Sequence, residues 1–458
     1  MENTELKSRV FARFIAGLRY EDLPEAVVTE TKRRILDFVA AAYAGRKING
    51  ALNDAIGEVL EEMGGAPQST VLFTQKKYPA ANAAFANAAY GHGADMDDGH
   101  KTAMGHPDVT IVPPVFALAE ARGLPMTDVI TAIVAGYEMY VRLGNAVMPS
   151  LFNRGFHGTG VIGAVAASTA CGKLLGYDED TLHKAISLGA LHAAGLFNVS
   201  DSGQMTKPVN PAHASHSGVI SALLAGKPGV VPPQDPFEGP KSFFHAFADE
   251  VNPDALTDGL GKKYMITTAY IKLYPACRHL HPAVDAGIDI YRSGQLDLDK
   301  LEKIIIYTYA ASIKSVGNIR YPASEDDAKF SIFYALACAM TTGNYSFRDL
   351  AGTAELSDDA RRIIGLTEVE LDPACEDRAK GIRGSRLELC YSDRDNVVVD
   401  IQLPKGEPES PLSEADMRGK LAMCTEEYLS QADQDRLYDA IMGITPETRV
   451  ADILTLCR

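Results

Sequence analysis

Six of the eleven histidines fall in three short segments: His92, His100 and His106, then His157, then His279 and His281. The first segment runs Tyr90-Gly-His-Gly-Ala-Asp-Met-Asp-Asp-Gly-His-Lys-Thr-Ala-Met-Gly-His-Pro107. Glycines around a block of acids and imidazoles mark a turn-rich loop between helices, where functional groups concentrate. Imidazole titrates near neutrality, so histidines among carboxylates can move protons. The same loop offers metal ligands in Asp95, Asp97, Asp98, His100 and His106. Its spacing matches no EF-hand, however, and the chain has no H-E-x-x-H helix. A solvated acidic loop capping the next helix is the bland alternative.

The second segment holds Gly158-Thr-Gly160-Val-Ile-Gly163, a G-x-G-x-x-G match with Asp178 about twenty residues on, as in a dinucleotide-binding fold. Its context argues against that reading. Pro149 to Phe156 is no buried strand, and Asp178-Glu-Asp-Thr starts a helix where a second strand should end. The glycines are read instead as close-packing positions. His157 directly precedes the helix, where free N–H groups and the positive dipole end favour a carboxylate. Lysines stand at Lys207, in Met205-Thr-Lys-Pro, and at Lys272, in Lys-Leu-Tyr-Pro-Ala-Cys-Arg278-His279-Leu-His281. Either lysine alone reads as a surface residue. Arg278 is a stronger candidate, because guanidinium grips carboxylates in bidentate fashion. No G-x-S-x-G elbow and no Walker A loop occurs, so acyl-serine and nucleoside-triphosphate chemistry lose support.

These residues need a scaffold, and the first part of the chain reads as helix after helix. Helical periodicity runs through Leu23 to Arg46, Ala80 to Tyr90, Val112 to Arg122, Met126 to Val147, Gly160 to Leu175, Leu182 to Leu196 and Ala212 to Ala225. Many are alanine-rich and apolar on more than one face, so helices pack inside helices. From Ile266 to Tyr274 β-branched and aromatic residues predict a strand. A helix at Pro282 to Tyr291, a strand at Lys303 to Tyr309, a helix at Ser324 to Met340 and strands at Glu368 to Leu371 and Arg386 to Leu403 follow. Helices return at Glu414 to Cys424 and Asp433 to Met442. The expected architecture is mainly α, with a large helical domain over 1–265 and 405–458 and an inserted α+β domain over 266–404.

At 458 residues the chain is too long for one small module. A formal net charge of −16 argues against nucleic acid and against an anionic membrane as partners, so any anionic ligand needs a local cationic cluster. Seven cysteines without a C-x-x-C pair fit neither a disulfide framework nor a zinc knuckle. With no basic, apolar leader at the N-terminus and no apolar run of ~18 residues, the expected location is the cytoplasm.

In order along the chain, Gly93-Ala-Asp-Met-Asp-Asp98, Gly105-His-Pro107, Gly155-Phe-His157, Met205-Thr-Lys207, Glu238-Gly-Pro-Lys241, Lys272-Leu-Tyr-Pro-Ala-Cys-Arg-His279 and Ala328-Lys-Phe-Ser331 resemble the MmgE/PrpD family. That family includes 2-methylcitrate dehydratase, cis-aconitate decarboxylase and iminodisuccinate epimerase. The resemblance implies a helical domain with a smaller α+β lid, a homodimer, and a site between the domains that uses neither metal nor organic cofactor. It implies site residues Asp95, His106, His157, Lys207 and Lys272, with Arg278 and His279 as nearby carboxylate binders. Three departures stand out. Gly99 occupies a position where the decarboxylase has threonine, Asp108 follows His106-Pro107 where a small residue is common, and a tyrosine before the lid helix has no counterpart near Val316, Tyr321 being displaced and Tyr334 lying within the helix.

Removing a proton α to a carboxylate builds negative charge there, which cations must offset while a base sits near the carbon. His106 and His157 are the acid–base pair on this reading, their roles unassigned; Asp95 orients an imidazole, and Lys207 and Lys272 hold carboxylates. The expected activity is a cofactor-free lyase on a small di- or tricarboxylate, with dehydration of a 2-methylcitrate-like hydroxy acid first. Epimerisation of an iminodisuccinate-like dicarboxylate and cis-aconitate-type decarboxylation follow. A metal-dependent hydrolase on the Asp95 to His106 loop and a noncatalytic binding protein are the readings from other classes.

Overall fold

The computed structural model describes residues 5–199, 205–352, 356–377 and 381–457. The chain is mainly α and divides into two units, one of Met1–Ile271 with Arg418–Arg458, the other Lys272–Met417.

In the first unit the core helices are Ala80–His92, Asp108–Arg122, Met126–Val147, Gly158–Leu174 and Val209–Ala225. Gly158–Leu174 is buried along nearly its whole length, and small residues make this possible. A Cβ on Gly218 would lie 2.3 Å from the Cβ of Ala167, and one on Gly163 2.6 Å from Thr110 Cγ2. Gly163 of the G-x-G-x-x-G match is thus a contact point between helices. Asp108–Arg122 contains Pro113 and Pro114, which cannot donate to the carbonyls of Val109 and Thr110. Ser215 Oγ, from Val209–Ala225, bonds both, at 3.1 and 3.4 Å. The two helices that flank the histidine loop and Lys207 are thereby stapled.

The second unit carries a four-stranded sheet in the order Thr367–Leu371, Leu301–Thr308, Ser385–Tyr391, Val397–Ile401. The first pair is parallel and the other two antiparallel. Ser385–Tyr391 alternates buried and half-buried residues, as a one-sided strand should. The helix His281–Ser293 packs on Ser385–Tyr391 and Val397–Ile401 and against the helix Ile332–Thr342.

Three expected elements differ. Ile266 to Tyr274 is a 3-10 turn, Met265–Thr268, and then irregular chain; its ladder pairing, among the described residues, is one bridge between Tyr270 and Gly99. The helix expected over Ser324 to Met340 splits into Glu325–Ala328 and Ile332–Thr342, because Ser331 accepts the Tyr334 N–H and caps a new helix. Arg386 to Leu403 is two strands joined by a turn at Ser392 to Asn396. All seven cysteines are free thiols, and among the described residues no helix is long and apolar enough to cross a membrane.

Candidate active site

The helix Ala80–His92 ends at Gly93, and the loop to Asp108 folds tightly on itself: His100 N–H donates to Gly105 O and Met104 N–H to His100 O. Asp95 sits at φ +54°, in the left-handed region that aspartate tolerates better than most residues. Such conformations persist where the surroundings enforce them. Gly105 is required by crowding, since a Cβ there would lie 2.2 Å from Tyr140 Oη.

The fold brings His106, His157, Asp95 and Lys207 together. Lys207 Nζ donates to Asp95 Oδ1 at 3.0 Å, and the same oxygen lies 3.8 Å from His106 Nε2. Asn49 Nδ2 holds the Met205 carbonyl at 2.8 Å, which anchors the segment that carries Lys207. Between the two expected histidines lies a third, His92, with ring centroids 4.9 Å from His106 and 5.9 Å from His157. His92 Nδ1 meets Asp97 Oδ2 at 2.7 Å.

Hydrogen-bond partners fix the tautomers of the outer rings. His106 Nδ1 faces the Asp98 carbonyl at 2.7 Å and Asp97 Oδ2 at 3.3 Å. Both are acceptors, so Nδ1 carries a proton; in the neutral ring Nε2 then has the lone pair. His157 is the reverse. Asn210 Nδ2 reaches His157 Nδ1 at 3.0 Å and the Leu196 carbonyl at 3.1 Å. The amide group facing that carbonyl must be the donor, so His157 Nδ1 accepts and Nε2 bears the hydrogen. Burial pushes the His157 pKa well below the usual imidazole value; the Lys207 ammonium and His92 add to this and Asp95 opposes it. At neutral pH the ring is uncharged.

The ligand set of the alternative metal reading does not come together in the structure. His100 Nε2 bonds Thr268 Oγ1 at 2.9 Å, and Asp98 is buried against Tyr137 and Arg34. Instead His92, Asp95, Asp97 and His106 bring one donor atom each within 4.8 Å of one another. That cluster already holds a cation, the Lys207 ammonium on Asp95, and a divalent ion would have to displace it.

The second unit carries Lys272, Arg278 and His279. Lys272 is 2 % exposed. His279 Nδ1 lies 2.5 Å from Tyr309 Oη; burial first, then Arg383 and Lys272, lower its pKa to about 4. Arg383 thus joins the cationic surroundings of His279 without having been anticipated. Arg278 has a different set of partners: its guanidinium donates to Glu407 Oε1 at 2.9 Å and to the carbonyls of Lys405 and Pro404. A substrate carboxylate would compete there with one of the chain's own.

The MmgE/PrpD N-terminal domain model matches residues 9–255 and the C-terminal domain model residues 274–443. The chain belongs to the MmgE/PrpD family. It is similar to a cis-aconitate decarboxylase of Aspergillus terreus, with 25% identity over 96% of this chain and 94% of the relative. The cis-aconitate decarboxylases of Homo sapiens and Mus musculus are 24% and 23% identical, over 79% and 90% of this chain and 76% and 85% of their own. His92 and Asn210 line the site without having been among the expected site residues, and Asp97, expected only as a metal ligand, bonds His92. His92 was visible beside the acidic block, but Asn210 became legible only once the helix Val209–Ala225 faced His157.

Proposed function

We propose that the protein is a cofactor-independent lyase of a small tricarboxylate, and that its reaction is dehydration of a 2-methylcitrate-like hydroxy acid. The opposite tautomers of His106 and His157 carry this reading. His106 Nε2, with its lone pair free of the proton, takes the hydrogen α to a carboxylate. His157, uncharged, offers Nε2–H to the carboxylate oxygen on which charge grows, a neutral imidazole being an electrophilic donor here. Lys207 is the ammonium group for a substrate carboxylate, and Lys272 is the other lysine of this proposal. The proton gained by His106 leaves on the departing β-hydroxyl as water, which returns His106 to its starting form.

Decarboxylation is the second reading, favoured by the names of the relatives. Against it, the space beside Gly99 is filled: a Cβ there would lie 2.3 Å from Tyr270 Oη, leaving no room for a threonine. Tyr321 is 51% exposed and Tyr334 is buried with its hydroxyl on the Asp349 carbonyl. Neither supplies the missing tyrosine. Incubation with 2-methylcitrate, citrate, cis-aconitate and iminodisuccinate in deuterated water, read by mass spectrometry with carbon dioxide detection, separates the reactions. Loss of water supports dehydration; carbon dioxide from cis-aconitate, or deuterium gain in iminodisuccinate without fragmentation, would replace it. A homodimer, also part of the proposal, is checked by light scattering.

A further inference from the structure

The joint between the strand Leu301–Thr308 and the helix Ala310–Val316 carries a tyrosine that the proposed chemistry does not use. Tyr309 directly precedes that helix, yet its side chain forms no cap bond there. The residue is buried, and its hydroxyl meets His279 Nδ1 at 2.5 Å. Among the described residues Tyr309 Oη makes no other hydrogen bond. From the same helix, buried Ser312 donates its Oγ hydrogen to the His279 carbonyl at 3.2 Å. One short segment therefore holds both the ring and the backbone of His279.

The partners give that bond its direction. A buried phenol hydrogen needs an acceptor, and Nδ1 is the one it meets; a hydrogen on Nδ1 would leave the phenol hydrogen with none. Burial moves the Tyr309 pKa upward, so the hydroxyl keeps its proton. Nδ1 thus holds a lone pair, the ring is uncharged, and its hydrogen sits on Nε2. Nε2 has no partner among the described residues. The charged groups that act on the ring are the cations Arg383 and Lys272, surroundings that suit an anionic ligand. We propose that Tyr309 is a positioning residue that locks His279 in the Nε2–H form, and so makes His279 a neutral hydrogen-bond donor for a substrate carboxylate. Tyr309 itself touches no substrate; it acts through His279. Only the nature of the ligand rests on the lyase reading; the Tyr309–His279 bond does not.

The test is ¹⁵N spectroscopy of the histidine-labelled protein at neutral pH, with His279→Gln to assign the resonances and citrate as the probe. The parent should show His279 with its hydrogen on Nε2, and citrate should shift that signal. Tyr309→Phe removes only the hydroxyl. It should give a mixture of His279 tautomers and weaken citrate binding roughly 2- to 12-fold, the span of one ordinary hydrogen bond. Ser312→Ala loosens the backbone hold and leaves the phenol in place, so it should keep the parent tautomer. A parent ring with its hydrogen on Nδ1, a Tyr309→Phe ring still wholly in the Nε2–H form, or equal mixing in Ser312→Ala would overturn the proposal. Citrate that leaves the parent signal unmoved would overturn the carboxylate as ligand. If Tyr309→Phe does not fold, the parent spectrum with and without citrate decides alone. A parent that binds citrate at His279 but turns over no tricarboxylate would count against the lyase reading and leave this one standing.

Discussion

Replacing Lys207 by Met keeps the side-chain bulk and removes one charge from the centre of the site. Lys207 is 8% exposed and its ammonium lies 3.0 Å from Asp95 Oδ1. One charge-assisted contact to a substrate carboxylate contributes about 1.5–3 kcal/mol, so kcat/KM should fall roughly tenfold to 150-fold at 1.36 kcal/mol per decade. The cost to folding is smaller. The Asp95 side chain is 19% exposed, so water can replace the lost ammonium. The loss should lie between the ~0–1 kcal/mol of surface pairs and the ~3–5 kcal/mol of buried ones. A second readout is independent of substrate. Lys207 is one of the positive neighbours that, after burial, keep His157 uncharged, so its removal should move the His157 titration midpoint upward. Steady-state kinetics, thermal melts and a ¹⁵N-histidine pH titration measure all three. A variant that turns over like the parent, with an unmoved His157 midpoint, would refute the placement of this charge.

Activity should survive exhaustive chelation, measured after dialysis with elemental analysis; loss restored by one divalent ion would promote His92, Asp95, Asp97 and His106 to a metal centre. Gly99→Ala should lower stability by about 1–3 kcal/mol in denaturant melts because its Cβ meets the Tyr270 ring, and a smaller residue at 270 should make the pair of changes less than additive. Lys420→Met should cost roughly 3–5 kcal/mol, since it strands the buried Asp37 carboxylate; Asp37→Asn in the same chain should recover part of it. His183, bonded to Ser8 Oγ at 3.0 Å, has its pKa lowered by burial to about 4. Its folded-state value lies below the unfolded value near 6.5, so its contribution is full above pH 6.5 and is lost as pH falls toward 4. His183→Gln should flatten the stability profile in that window.

Much of the helical unit was legible because its signals are local and agree with one another. Apolar periodicity marked Met126–Val147, and His157 was placed one residue before its helix, where it caps Gly158–Leu174. The glycine match that imitates a nucleotide loop was rejected on flanking residues alone, and the close contacts of Gly163 explain why glycine is there. Legibility failed where tertiary partners decide. The β-branched run from Ile266 has strand propensity but, among the described residues, pairs at one bridge; Tyr270 is used to cover Gly99 and to present its carbonyl to Arg34. Ser331 restarts a helix through its own hydroxyl inside what reads as one continuous helix. In the site, composition pointed to the right loop but could not distinguish His100, turned to Thr268, from His92, turned to Asp97. The base and its neutral partner could not be told apart until Asn210 and the Asp98 carbonyl stood beside the rings.

The central claim is that a proton α to a carboxylate is removed by His106. The most direct test is the single-turnover rate on the identified tricarboxylate with deuterium at that α carbon, in the parent and in His106→Gln. The account predicts a primary isotope effect in the parent and loss of turnover by orders of magnitude in His106→Gln, with the fold intact by circular dichroism. Equal rates for both isotopologues together with substantial turnover by His106→Gln would contradict it.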